Sequence, residues 1–360
     1  LKLLRDLEKM SKRILYLCMA CSLVFVQCSD SSSDPETPPV DENLPLWSDD
    51  FNGSSLDSSK WSYETGTGLN GNWGTGQIDR ATNRAKNVSI QTGISGADGG
   101  CLVITTHKES LEGSDYTSGR IYTAGKASFG PGHRIQARVW AKDVRYKGQG
   151  FAFWMMPDEE YNGTASLRWP QGGEVDIMEY VGSIPYHNLG TVHYAWWWNN
   201  NQWADWNHGQ KGYYYSYEQT QAPATKPQQG NYPPPGNNTY TGSYGFHIYG
   251  LDWYDDRMEF TVDGNVYNIH YFNDGAAFDN GLTDEQDEDN ENTLTPINGK
   301  RVYKSEYSNH FPEWRPFEHK MYLILSAGVG GSSTTYGGAI TSDAVFPCEV
   351  YIDWVKVYKL

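Results

Sequence analysis

A chain of 360 residues with 38% hydrophobic side chains is long enough for one large domain or two small ones. Its formal net charge of -16 argues against a groove that tracks nucleic-acid phosphates, so neutral partners suit it better. The aromatic share, 14% with 14 Trp and 26 Tyr, exceeds what a core of this size needs and suits surfaces that stack on sugar rings or partners, while 38 Gly among short apolar runs argue against a helical bundle.

The N-terminus reads as an export signal over residues 1–28. Lys12 and Arg13 precede an apolar run from Ile14 to Val26 that is too short to span a membrane as a mature helix. Met10 is expected to be the true start, the nine residues before it being an upstream reading artefact. The run closes on Phe25-Val26-Gln27-Cys28, followed by Ser29-Asp30-Ser31-Ser32-Ser33-Asp34. This resembles a bacterial lipobox with Cys28 as the lipidated residue and the Ser/Asp-rich surface-export signal of Bacteroidetes lipoproteins. The resemblance implies a cell-surface or outer-membrane lipoprotein of a Gram-negative bacterium, touching the membrane only through its lipid. Cleavage with plain secretion is the alternative. Residues 29–45 are Ser, Asp, Pro and Glu with hardly an apolar side chain, so they read as a tether.

From about residue 46 to residue 360 strand signals recur: Cys101 to Thr106, Arg134 to Trp140, Gly150 to Met156, Phe246 to Trp253, Met258 to Val262, Met321 to Leu325 and Val350 to Tyr358. No repeat or linker divides them, which predicts one all-β domain, read as a monomer. Two polar excursions, Asn199 to Ser243 and Asn273 to Phe311, are expected to wall a groove. Within the second, Asp284 to Glu291 lacks the central Gly and ligand spacing of an EF-hand and reads as a solvated loop. Of five cysteines, Cys101 and Cys348 lie in this domain, where a bridge and two separate buried thiols are both open.

The stretch Gly173-Glu174-Val175-Asp176-Ile177-Met178-Glu179-Tyr180 places three carboxylates within six residues of a strand-like run. Strict alternation puts Glu174 and Asp176 on one face and Glu179 on the other. One extra residue, a β-bulge, returns Glu179 to the first face. Crowded carboxylates repel and raise at least one pKa. Retaining glycosidases use such a pair, one ionised as nucleophile and one protonated as acid, about 5 to 5.5 Å apart. An ordinary edge strand with solvated acids is the alternative.

The run from Trp169 to Gly182 resembles the bulged E-x-D-x-x-E branch of glycoside hydrolase family 16, laminarinase-like β-1,3-glucanases. Further matches are Phe51-Asn52-Gly53, Ser118-Gly119-Arg120-Ile121, Gly190 to Tyr194, Val262-Asp263-Gly264, Gly328 to Gly331, and Phe346-Pro347 with Tyr351 to Tyr358. The resemblance covers about residues 46–360 and implies a β-sandwich jelly roll with a concave substrate cleft. It also implies an endo-acting, retaining hydrolase with Glu174 as nucleophile, Asp176 as the middle carboxylate and Glu179 as general acid/base.

Trp154 and Trp169 are expected to offer ring faces to sugar, with core packing as the alternative for Trp154. Arg120 matches a position that binds sugar hydroxyls, with a surface ion pair as the alternative. His193 is expected in the carboxylate cluster or at a product-side subsite, or as a structural residue. Trp197 should face opposite to Trp196 and Trp198. Catalysis needs no cofactor. The resemblance implies a structural calcium held by Asp50, Asp353 and the carbonyl of Gly100, with turn roles for the aspartates as the alternative.

Three stretches depart from the family pattern: Gly74 to Asp79 stands for N-N-E-L-Q, Gly150 to Trp154 for W-P-A-F-W, and Ser332-Ser333 for a Trp after Gly-Gly. The reaction class therefore stands better than the sugar. β-1,3-Glucan or mixed β-1,3/1,4-glucan is the expected substrate, and β-1,4-galactosyl bonds of host O-glycan or poly-N-acetyllactosamine chains the alternative. Sulfated galactans lack a basic run to hold them. A glycan-binding lipoprotein on the same scaffold would gain only repulsion from three crowded acids.

Overall fold

Alternating and continuous apolar runs bounded by glycine build strands here, as their side-chain period demands. The computed structural model describes residues 44–158, 172–183, 188–195, 198–199, 202–203, 207–215, 245–271, 301–304, 316–331 and 335–360. Among them there is no α-helix, only the 3-10 turns Leu69–Gly71, Pro316–Glu318 and Thr335–Gly337, and no helix long and apolar enough to cross a membrane. The signal, the tether up to residue 43, Cys28, Trp169, Trp196, Trp197 and the acidic Asp284 to Glu291 stretch lie outside the described residues.

Two large sheets carry the fold, the layered arrangement of a β-sandwich jelly roll. The eleven-stranded sheet runs in the order Arg301–Lys304, Asn265–Tyr271, Arg257–Val262, His247–Trp253, His133–Trp140, Cys348–Lys359, Gly100–Leu111, Ser114–Ser118 and Asp79–Ala81. Trp47–Asp49 and Val88–Thr92 pair at its side. The eight-stranded sheet runs Asn207–Tyr215, Asn188–Ala195, Glu174–Val181, Gln149–Pro157, Met321–Val329, Arg120–Tyr122 and Ser62–Tyr63, with Ser128–Phe129 pairing Met321–Val329. Phe151, Phe153, Met155, Leu323 and Leu325 from this sheet meet Leu251, Phe260, Ile352 and Val355 from the other in one apolar cluster. Truncating fully buried Phe153 to Ala would cost about 3–5 kcal/mol.

The expected strands all form, most of them longer by one to several residues. One expectation needs correction. The polar excursion at 199–243 contains the strands Gln202–Trp203 and Asn207–Tyr215, and the second excursion contains Arg301–Lys304. Asn207–Tyr215 is an edge strand, zipped on one side to Asn188–Ala195. An edge needs one ladder and no buried face, so a polar sequence with Tyr213 to Tyr215 can form it. Cys101 and Cys348 are buried free thiols, paired in register with Gln91 and Thr106 respectively.

Candidate active site

Register decides which face each carboxylate of Glu174–Val181 takes. Met155 stands opposite Val175 and Trp154 opposite Asp176, but Phe153 stands opposite Met178 and Ala152 opposite Glu179. Ile177 is the extra residue. Ile177 and Met178 are consecutive yet both fully buried in the core cluster, as a bulge requires and a regular strand forbids. Past the bulge, Glu179 shares the outward face with Glu174 and Asp176.

Neighbouring strands extend that face into rows. Leu189, Glu179, Ala152, Ser326 and Arg120 stand in register across five strands. Thr191, Asp176, Trp154, Ile324 and Tyr122 form the next row, and His193 stands beside Glu174 in a third. Asp176 is 4% exposed, whereas Glu174 and Glu179 are half-buried. His193 Nε2 lies 3.3 Å from Asp176 Oδ2, and the Thr191 hydroxyl donates to Glu179 Oε2 at 3.5 Å.

Burial first, then the charges of Glu174 and Glu179, hold the Asp176 carboxyl well above its ordinary range, and His193 opposes the rise. Asp176 therefore keeps its proton to a higher pH than an ordinary carboxyl. A protonated middle carboxyl can donate to an adjacent carboxylate, which steadies that group in its ionised, nucleophilic form.

Arg120 occupies the far end of the Glu179 row. Its guanidinium lies 4.7 Å from the ring centre of Trp73 and 4.8 Å from that of Trp154, and its Nε pairs with Glu64. The ion-pair reading of Arg120 holds, and the paired guanidinium borders the acid row. Trp154 is half-buried on the outward face, its Nε1–H donating to Ser326 Oγ at 3.0 Å. Among the described residues it is no core residue: Phe153 and Met155 on either side take that role.

Sequence reasoning missed Glu64, Trp73, Asp79, Ser326 and Tyr336. Asp79 is 1% exposed, accepts hydrogen bonds from the Ser118 hydroxyl and from Val329 N–H at 2.7 Å, and is pushed up to about 6 by burial. The one available signal was the departure of Gly74 to Asp79 from the family pattern.

Glu174, Asp176 and His193 offer three ligand atoms within 4.8 Å of one another, a set that could hold a divalent ion. Glycosidic cleavage by paired carboxylates needs none. The calcium set is less favourable. Asp353 Oδ1 accepts Asp98 N–H at 2.9 Å, its Oδ2 pairs with Arg138, and Asp50 faces Lys356 Nζ at 3.2 Å. Each carboxylate already faces its own basic side chain, so the pair fits a shared divalent ion poorly.

Comparison of the whole chain with known proteins points to one family. Residues 80–279 match the family model "Glycosyl hydrolases family 16". The chain is 30% identical to a β-glucanase of Rhodothermus marinus over 99% of its own length and 97% of that protein's. It is 28% identical to glucan endo-1,3-β-glucosidase A1 of Niallia circulans over 91% of its length, spanning 40% of that longer protein. The crystal structure of an endo-β-1,3-glucanase from Pyrococcus furiosus superposes with a TM-score of 0.57 at 27% identity, covering 88% of this chain and 94% of the other. With its fold, its carboxylate row and these matches in agreement, the chain belongs to glycoside hydrolase family 16.

Proposed function

We propose that this glycoside hydrolase cuts β-1,3-glucan or mixed-linkage β-1,3/1,4-glucan internally and with retention of configuration. The observation that carries the catalytic assignment is the register slip at Ile177, which turns Glu179 onto the face of Glu174 and Asp176. Glu174 attacks the anomeric carbon while Glu179 protonates the departing oxygen. Water, deprotonated by Glu179, then releases the sugar from Glu174. Asp176 steadies the charge on Glu174. Trp154 and Arg120 bind sugar along the acid row, where apolar ring faces meet indole and hydroxyls meet guanidinium. The similarity to glucan-cleaving relatives supports the choice of glucan.

The test is direct. Laminarin, mixed-linkage glucan and mucin O-glycans are offered to the protein, and products are identified by mass, linkage and anomeric form. Internal cuts in the glucans with β-anomeric products support the proposal. Cleavage confined to galactosyl bonds of the O-glycans replaces the glucan reading with the galactosidase one.

The sequence around Cys28 supports a lipid-anchored, surface-exposed form. Radiolabelled palmitate is expected to enter the wild-type protein in a Gram-negative host and not Cys28→Ala. Absence of label from the wild type would leave simple secretion in its place.

A further inference from the structure

Glu64 and Arg120 meet twice. The Glu64 N–H donates to the Arg120 carbonyl at 3.0 Å, next to the pairing of Tyr63 with Ile121, and the Arg120 Nε–H donates to Glu64 Oε2. Backbone and side chain thus hold the same pair together. Two indoles border the guanidinium, with Cζ 4.7 Å from the ring centre of Trp73 and 4.8 Å from that of Trp154. Each ring is itself fixed. Trp73 donates its indole N–H to the Asp79 carbonyl at 3.2 Å and packs so closely on Gly68 that a Cβ there would lie 2.3 Å from its ring, while Trp154 donates to Ser326 Oγ at 3.0 Å.

With Nε taken, what Arg120 can offer a ligand is the pair Nη1 and Nη2. Among the described residues neither carries a hydrogen bond, and neither is a donor sealed in the interior, although the side chain is only 13% exposed. They reach solvent over a small area at the end of the Glu179 row. A bare guanidinium prefers carboxylate, phosphate or sulfate to a neutral hydroxyl, because its fork matches their oxygens and its charge attracts them. Glu64 alters that preference. Its carboxylate is a counter-charge within hydrogen-bond distance, so an arriving sulfate meets a pair already balanced, with Glu179, Asp176 and Glu174 further along the same face. Two sugar hydroxyls lose little by this, since their oxygens accept from Nη1 and Nη2 without needing a net charge.

We infer that Glu64 determines specificity: it holds Arg120 as a charge-balanced fork that takes neutral sugar hydroxyls and turns away sulfated sugars. The choice of a neutral glycan rests on the glucanase reading above and deepens it, whereas the charge balance at Arg120 does not depend on it. Glu64→Gln keeps the shape and an oxygen for the Nε–H while removing the charge. Glu64→Asp keeps a carboxylate. Glu112→Gln is the control for net charge, since Glu112 is exposed in the turn after Gly100–Leu111 and pairs with Arg80 at 3.0 Å.

The first measurement needs no polysaccharide. Inorganic sulfate is titrated at low ionic strength and about pH 5, where the Asp79 carboxyl, pushed up to about 6 by burial, is mostly protonated and adds no second counter-charge. The indole N–H resonances of Trp73 and Trp154, assigned through Trp73→Phe and Trp154→Phe, report on the guanidinium beside them. Glu64→Gln is expected to bind sulfate about tenfold more tightly than wild type, an advantage that fades as sodium chloride is added. Glu64→Asp and Glu112→Gln are expected to stay near the wild-type affinity. Equal affinity in wild type and Glu64→Gln overturns the inference, and so does a gain that survives when Arg120→Gln is added to Glu64→Gln. The second measurement uses laminarin as substrate and laminarin sulfate as competitor. The ratio of KM for laminarin to the inhibition constant of laminarin sulfate is expected to rise about tenfold in Glu64→Gln, a change in selectivity that a merely structural role would not produce. An unchanged ratio removes the filter. If wild-type protein leaves laminarin uncut, the glucanase reading has failed, and the sulfate titration still decides the charge balance at Arg120.

Discussion

Two strands of this sandwich use the same device to opposite ends. In Glu174–Val181 an extra residue at Ile177 brings a buried aspartate, Asp176, into line with two glutamates. In Cys348–Lys359 the register with His133–Trp140 slips at Asp353, another aspartate only 2% exposed. There the charge is answered by Arg138 and by the N–H of Asp98. At Asp176 the neighbours are like charges, and one imidazole is the counterweight. A buried carboxylate given a guanidinium is a structural fixture, whereas one set among carboxylates costs stability and is kept for chemistry. Asp79 stands between these cases, with hydroxyl and amide donors and the more distant charge of Arg120.

The comparison breaks most visibly at the glutamates. Glu174→Gln or Glu179→Gln should lower turnover on unactivated polysaccharide on the order of 10³-fold with the melting temperature unmoved. Substrates with excellent leaving groups should recover part of the Glu179→Gln loss, since they need little protonation. Near-normal activity of Glu179→Gln on laminarin would cancel its role.

The bulge comes next. Deleting Ile177 or Met178 gives plain alternation, with all three acids outward, and should leave measurable hydrolysis. Inserting one residue between Asp176 and Glu179 turns the acid into the core and should abolish it. Circular dichroism must show both variants folded. Equal loss in both would deprive the register argument of its support.

The two aspartates should then separate by stability. Arg138→Met strands Asp353 without its partner and is expected to cost about 3 kcal/mol in urea unfolding with kcat preserved. Asp176→Asn removes the cost of ionising a buried acid among carboxylates and should gain about 1 kcal/mol at pH values high enough to strip the Asp176 proton, while slowing turnover. Chelator should leave the wild-type melting temperature where it is, because Arg138 already answers Asp353. A drop on adding EDTA would restore calcium to this position.

The smallest effect is a slope. Burial pushes the Asp79 carboxyl up to about 6 in the folded chain, from 3.8 for a solvated aspartate. Through that window the folded chain holds a proton that the unfolded chain has released, so the contribution of Asp79 to stability falls as pH rises and is level above it. Asp79→Asn should flatten the urea midpoint between about pH 4 and 6 relative to wild type. An unchanged slope would place the titration elsewhere.

Much of this was legible in the sequence, for reasons that particular residues show. Val350 to Tyr358 or Gly150 to Met156 announce strands because burial on both faces demands continuous apolar runs. The spacing of Glu174, Asp176 and Glu179 announced the bulge, because only a phase shift makes such a spacing useful. Asn207–Tyr215 could not be read, since an edge strand leaves little apolar imprint. Nor could Tyr336: the meaning of Gly150 and Gly328 lies in what packs onto them, and that ring arrives from a distant part of the chain. Pairing of Arg120 with Glu64 depends in the same way on a contact across elements.

Chain order along the eight-stranded sheet also bears on how the protein comes into being. Met321–Val329, distant in sequence from both of its neighbours, inserts between Gln149–Pro157 and Arg120–Tyr122. It brings Ser326 into the acid row, and Cys348–Lys359 likewise fills the middle of the other sheet. The acids at 174–179 precede Met321–Val329 in the chain, so the floor beside them closes only when that later strand is in place. Assembly must await these long-range pairings, which are slow to form. A chain cut short before Met321 should therefore lack that floor, and its rate on laminarin is expected to fall far below that of the whole chain.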